Sequence, residues 1–117
     1  MTDSPTQLID FDHFMHVKMH VGTITAAVDF PKARKPAYQL TIDFGATIGI
    51  KRSSAQITVL YTKEALIGRQ IIAVTNFPPR QIATFFSEVL VLGSVDTEGV
   101  VTLLTPERGV ENGLRIG

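Results

Sequence analysis

Cysteine is absent from this sequence. Its absence excludes disulfides, thiolate nucleophiles and cysteine-held zinc together, and leaves the cytoplasm as the simplest home. Long apolar runs are missing too. None approaches the ~20 residues that cross a bilayer as a helix, so no membrane insertion is expected. The opening stretch, Met1-Thr-Asp-Ser-Pro5, is polar and acidic, unlike a secretory leader. Net charge is zero. Catalytic signatures are also lacking: there is no nucleophile elbow, Walker loop or dinucleotide fingerprint, and the acids are scattered singly. A helix running through His13, His16 and His20 would align them like metal ligands, but a strand over 17–24 breaks that register. A structural or surface role is therefore expected for them. These absences lead to a binding protein with no catalytic residue, no metal site and no cofactor.

What is present is a strong period-two pattern. The 117 residues, 44% hydrophobic and 19% charged, make one domain with a real core. Residues 17–24, 38–44 and 48–52 read as strands, the second alternating strictly from Tyr38 to Phe44. Residues 70–74 form a more continuous apolar run, as in a strand buried on both faces. Residues 88–92 and 100–104 flank a turn at Asp96-Thr-Glu-Gly99. Two segments read as helices. One is 8–15, with Leu8, Phe11, Phe14 and Met15 on one face; the other is 62–66, with Thr62 as N-cap and Gly68 beyond its end. Short strands with one helix between the third and the fourth predict a mainly β protein, a five-stranded OB-fold barrel with short flanking helices. A β-sandwich is the competing fold. Residues 1–9 are expected to form a flexible segment and 10–117 the domain.

The neutral total hides an uneven charge distribution. Residues 30–80 hold eight bases and two acids, whereas the segments on either side are each net acidic. A basic middle suits a polyanionic partner; chance clustering on a solvated surface gives the same count. Three stretches stand out. Lys32, Arg34 and Lys35 lie between Pro31 and Pro36, where restricted backbone freedom lowers the cost of ordering a loop on phosphates; a solubilising hairpin loop has the same composition. Lys51-Arg52-Ser53-Ser54-Ala-Gln56-Ile57 offers cations, hydroxyls and an amide to RNA, or else a serine cap for a helical turn. Asn76-Phe77-Pro78-Pro79-Arg80 leads to Phe85-Phe86-Ser87. Its aromatics suit unpaired bases or apolar side chains, or the core, which is expected to claim at least one of them.

Longer runs carry a resemblance. They include Val21-Gly-Thr-Ile24, Phe30-Pro-Lys-Ala-Arg-Lys-Pro-Ala37, Ile48-Gly-Ile-Lys-Arg-Ser-Ser-Ala-Gln-Ile-Thr58, Ile72-Ala-Val-Thr-Asn-Phe-Pro-Pro-Arg-Gln-Ile-Ala83 and the terminal Asn112-Gly113. By these the chain, from about residue 10, resembles the CsaA family, small bacterial secretion-related chaperones built on a tRNA-binding OB module. The resemblance implies a homodimer with two binding roles. One is tRNA binding, which falls on Lys32, Arg34, Lys35, Lys51, Arg52, Ser53, Asn76, Arg80 and Ser87. The other is binding of unfolded or preprotein polypeptide in an apolar groove, for which Phe77, Phe85 and Phe86 are the candidates. There are departures from the wider module: His20 stands where an arginine is usual, and Val89-Leu90 where it has Gly-Met.

Overall fold

Strand β1 (Met19–Asp29) is the spine of the molecule. It is long enough to serve two partners in succession. Its first half pairs antiparallel with β4 (Gln70–Val74), and its second half with β2 (Tyr38–Asp43). The register shifts between Ile24 and Ala26, and a bulge of this kind bends a strand and increases its twist. That bend lets one strand turn the corner of a barrel. The computed structural model describes residues 6–117. Part of the expected flexible segment, residues 1–5, lies outside the described residues.

The central sheet has the order β3-β2-β1-β4-β7, with β3 (Ile50–Ala55) at one end and β7 (Leu90–Val91) at the other. It curls into a nearly closed, five-stranded antiparallel barrel of the OB type, so the mainly β expectation holds. Helix α1 (Phe11–Met15) precedes β1, α2 (Gly45–Ile48) is a single turn between β2 and β3, and α3 (Lys63–Leu66) lies between β3 and β4. Thr62 caps α3 as expected, its hydroxyl accepting from the Ala65 N–H. Two small hairpins add to the barrel, β5 (Arg80–Ile82) with β6 (Phe85–Ser87) and β8 (Gly93–Val95) with β9 (Val101–Leu103). A final strand, β10 (Arg115–Ile116), joins the first half of β1.

Period-two patterning fills the barrel. Along β2, Tyr38, Leu40 and Ile42 point inward, and they meet Ile24, Leu66 and Ile71 in one buried cluster. Gly22 is required on the facing strand, because a Cβ there would stand 2.8 Å from the Phe44 ring. Two sequence expectations need correction. The 8–15 helix is shorter, starting at Phe11, with Leu8, Ile9 and Phe11 in solvent because no described residue covers them. The 48–52 strand instead spans Ile50–Ala55, with Ile48 closing α2, so Ser53 and Ser54 belong to β3 and cap no helix.

Candidate nucleic-acid interface

The barrel wall is incomplete between β3 and the chain leaving β6. Instead of a continuous ladder, separate hydrogen bonds stitch it, one of them from the Ser53 hydroxyl to Val89 O (3.0 Å). The Arg52 N–H donates to Glu88 Oε1 (3.0 Å), the Glu88 N–H to Arg52 O (2.8 Å), and the Ser54 N–H to Ser87 Oγ (3.0 Å). Beyond the last stitch the seam opens into a groove of about 1230 Å³. Ser54 to Ile57 form one wall and Ser87 to Gly93 the other.

Two loops complete the rim, and an aromatic pair sets their spacing. Phe30, at the root of the 30–37 loop, packs on Phe85 of β6 with ring centres 5.2 Å apart, and Ala37 is buried beside them. The Phe30 N–H donates to Ala37 O, closing the loop on itself. The root of the loop is thereby fixed to the β5–β6 hairpin. Arg34 and Lys35 from the loop and Arg80 from the hairpin consequently line the same groove, with Phe77 and Pro78. None of these three cations forms an ion pair among the described residues. The one acid on the groove is Glu88, whose carboxylate already accepts the Arg52 N–H and lies 4.0 Å from Lys51 Nζ. The groove therefore carries unmatched positive charge.

The other candidates distribute differently. Lys32 is exposed on the same loop but does not line the groove. Arg52 is exposed, with its guanidinium 4.5 Å from the centre of the Phe85 ring and Nη2 donating to Gln39 Oε1. Ser53 requires correction: it is fully buried and its hydroxyl donates to Val89 O at 3.0 Å, so it has no surface to offer RNA. Phe85 requires the same correction as a polypeptide contact, being a core residue. Asn76 is exposed, but its side chain ties α1 to the barrel. Its Oδ1 accepts the Lys18 N–H (3.0 Å) and its Nδ2 donates to His16 O (2.8 Å). Ser87 is occupied as a seam stitch. Phe77 and Phe86 are each about half exposed, and of the two only Phe77 lines the groove.

Sequence reasoning missed Glu88. It directly follows Ser87, but its role depends on the barrel closing. Gln56, whose amide the sequence offers to RNA, lines the groove.

Residues 19–115 match the family described as "Putative tRNA binding domain". The chain belongs to this tRNA-binding-domain family. Within it, the crystal structure of the chaperone CsaA from Bacillus anthracis superimposes with a TM-score of 0.90 at 50% identity, covering 95% of this chain and all of that one. The CsaA chaperone protein from Picrophilus torridus gives 0.88 at 53% identity, over 94% of this chain and all of that one. The resemblance to the CsaA family read from the sequence therefore holds. A methionine–tRNA ligase from Parabacteroides distasonis is 34% identical over 92% of this chain. The chain spans only 16% of that ligase's length. The groove and its cations, residues 33–101, lie wholly inside the part matched by the tRNA-binding-domain family.

Proposed function

We propose that the protein is a non-catalytic, cytoplasmic tRNA-binding module of the CsaA type, and that it grips tRNA by the basic rim of the seam groove. One observation carries the reading: Arg34, Lys35 and Arg80 converge on one opening and form no ion pair among the described residues. Unmatched cations on a defined concavity attract a polyanion and release its counterions on contact. Arg52 and Lys32 extend the field along the neighbouring surface. The test is a gel-shift titration with bulk tRNA at low and moderate salt. Binding that weakens steeply with salt is the expected result, with a log–log slope of about −0.7 per neutralised phosphate for single-stranded sites. Affinity indifferent to salt and to Arg34→Glu would overturn the reading.

A second role is supported by the other half of the groove. Leu90 and Val95 are half or more exposed there, beside Val91 and Val101. Apolar surface in a concavity suits unfolded or preprotein segments, so we propose a chaperone role in protein export alongside RNA binding. The exposed Leu8, Ile9 and Phe11, next to half-buried Phe14 and Met15, suit coverage by a second copy in a homodimer. Suppression of aggregation of a denatured client, insensitive to salt, tests the chaperone role. Light scattering unchanged at stoichiometric protein would exclude it.

A further inference from the structure

We infer that the seam groove takes an unpaired nucleotide of an RNA strand, its base laid against Phe77 and its phosphates held by Arg34, Lys35 and Arg80. The inference rests on the proposed tRNA reading and narrows it from RNA in general to single-stranded RNA.

The first ground is the way Phe77 is held. It is 53% exposed at the groove edge, and the chain is fixed on both sides of it. Before it, Asn76 is tied by two side-chain hydrogen bonds to the backbone of residues 16 and 18. After it, Pro78 and Pro79 restrict the backbone. An aromatic face held rigidly in solvent is a stacking platform, and every base has a face to stack on it. A duplex keeps its bases paired and stacked inside and offers mainly phosphate and sugar. It would draw on the cations and leave Phe77 unused.

The second ground is charge. The three cations have no ion-pair partner among the described residues, and the acid of the groove is already matched. A neutral apolar peptide would leave all three charges uncompensated, whereas a nucleotide's phosphates compensate them. The third ground is the polar lining of the same groove. Ser54 and Gln56 line it, a hydroxyl and an amide able to donate to or accept from a base edge. Two such adaptable groups give a site tolerant of sequence.

The test uses the full chain at low salt. Fluorescence anisotropy follows a labelled single-stranded RNA of about six nucleotides, a blunt RNA duplex of matched length, and bulk tRNA. The expected result is that the single strand binds and the duplex binds about tenfold more weakly or worse, and that Phe77→Ala weakens the single strand by about tenfold. The chain has no tryptophan, so Phe77→Trp installs a sole indole. It should keep the affinity and be quenched as the single strand binds. Equal affinity for the duplex, or no loss in Phe77→Ala, overturns the inference. Binding of tRNA without the single strand overturns it too, while leaving the tRNA reading intact; no binding of any RNA removes both. An extended apolar peptide that quenches the indole where RNA does not would assign the groove to polypeptide. A changed sedimentation coefficient for Phe77→Ala would assign it to a contact between copies.

Discussion

When the chain folds, the eight cations between residues 30 and 80 divide into those with an ion-pair partner among the described residues, Lys51 and Lys63, and those without. Arg34, Lys35 and Arg80, around the seam groove, are among those without. Beside the end of β1, Lys63 Nζ lies 2.9 Å from Asp29 Oδ2, and that hydrogen bond holds the ammonium above its ordinary pKa. A cation with its own partner is locally compensated and contributes little field. Cations left unmatched around one concavity add their potentials. Charge counted along the sequence cannot separate these groups, because Asp29 and Lys63 meet only when the barrel closes.

The largest effect should come from inverting charge in one group and not the other. The double substitution Arg34→Glu and Arg80→Glu is expected to lower tRNA affinity by at least an order of magnitude, and to reduce the salt slope by about 1.4, or 0.7 for each lost contact. Lys63→Glu is expected to leave both unchanged within error. Filter binding at several salt concentrations reads both quantities. If Lys63→Glu weakened binding as much as the groove pair, the distinction between matched and unmatched cations would have no functional meaning.

A second contrast separates residues that face RNA from polar residues that hold the fold. Ser53→Ala removes the side-chain donor to Val89 O in the buried seam. It should cost about 1–3 kcal/mol of stability, seen as a lower urea midpoint, with tRNA affinity of the folded variant unchanged. Asn76→Ala removes the tie to the exit of α1, where groups are exposed and water can replace the bonds. About 1 kcal/mol is expected there, a melting shift of roughly 4 °C. Hydrogen exchange should quicken at the Lys18 amide before any change in the barrel core. A tRNA affinity that fell while stability held would return Asn76 to the RNA-contacting group.

The same contrast marks how far the sequence could be read. Alternation identified β2, a continuous apolar run identified β4, and Thr62 marked the N-cap of α3, because all three depend on local pattern. The 30–37 loop was legible as a cationic, proline-bounded segment, since composition alone reveals that. The seam was not. Ser53, Asn76 and Ser87 are polar residues beside cations, the same local signature as an RNA-contacting site; only closure between β3 and residues 87–89 shows the bonds of Ser53 and Ser87 to be internal, and only docking of the α1 exit shows those of Asn76 to be so. The β5–β6 hairpin was also illegible as strand, because its two arms are three residues each and Pro78-Pro79 precede it. Phe85 follows from that: its burial is set by Phe30, 55 positions earlier in the chain.

The smallest expected effect concerns a third joint made by side chains. His20 on β1 places Nδ1 2.9 Å from Thr75 Oγ1 on the residue after β4. Burial lowers its pKa from the ordinary 6.5, helped by the charges of Arg115 and Lys18. The folded state thus binds this proton less readily than the unfolded chain. The contribution to stability is complete above about pH 6.5, diminishes as pH falls through that value, and levels off below the folded pKa. Urea midpoints should therefore decline slightly more between pH 7.5 and 5.5 in the wild type than in His20→Gln, which keeps a hydrogen-bonding group but cannot titrate. Subtracting one profile from the other removes the background of His13, His16 and the carboxylates, common to both proteins. Parallel profiles would mean that His20 is as easily protonated folded as unfolded. Neither burial nor the charges of Arg115 and Lys18 would then act on this joint, the two cations being screened by solvent.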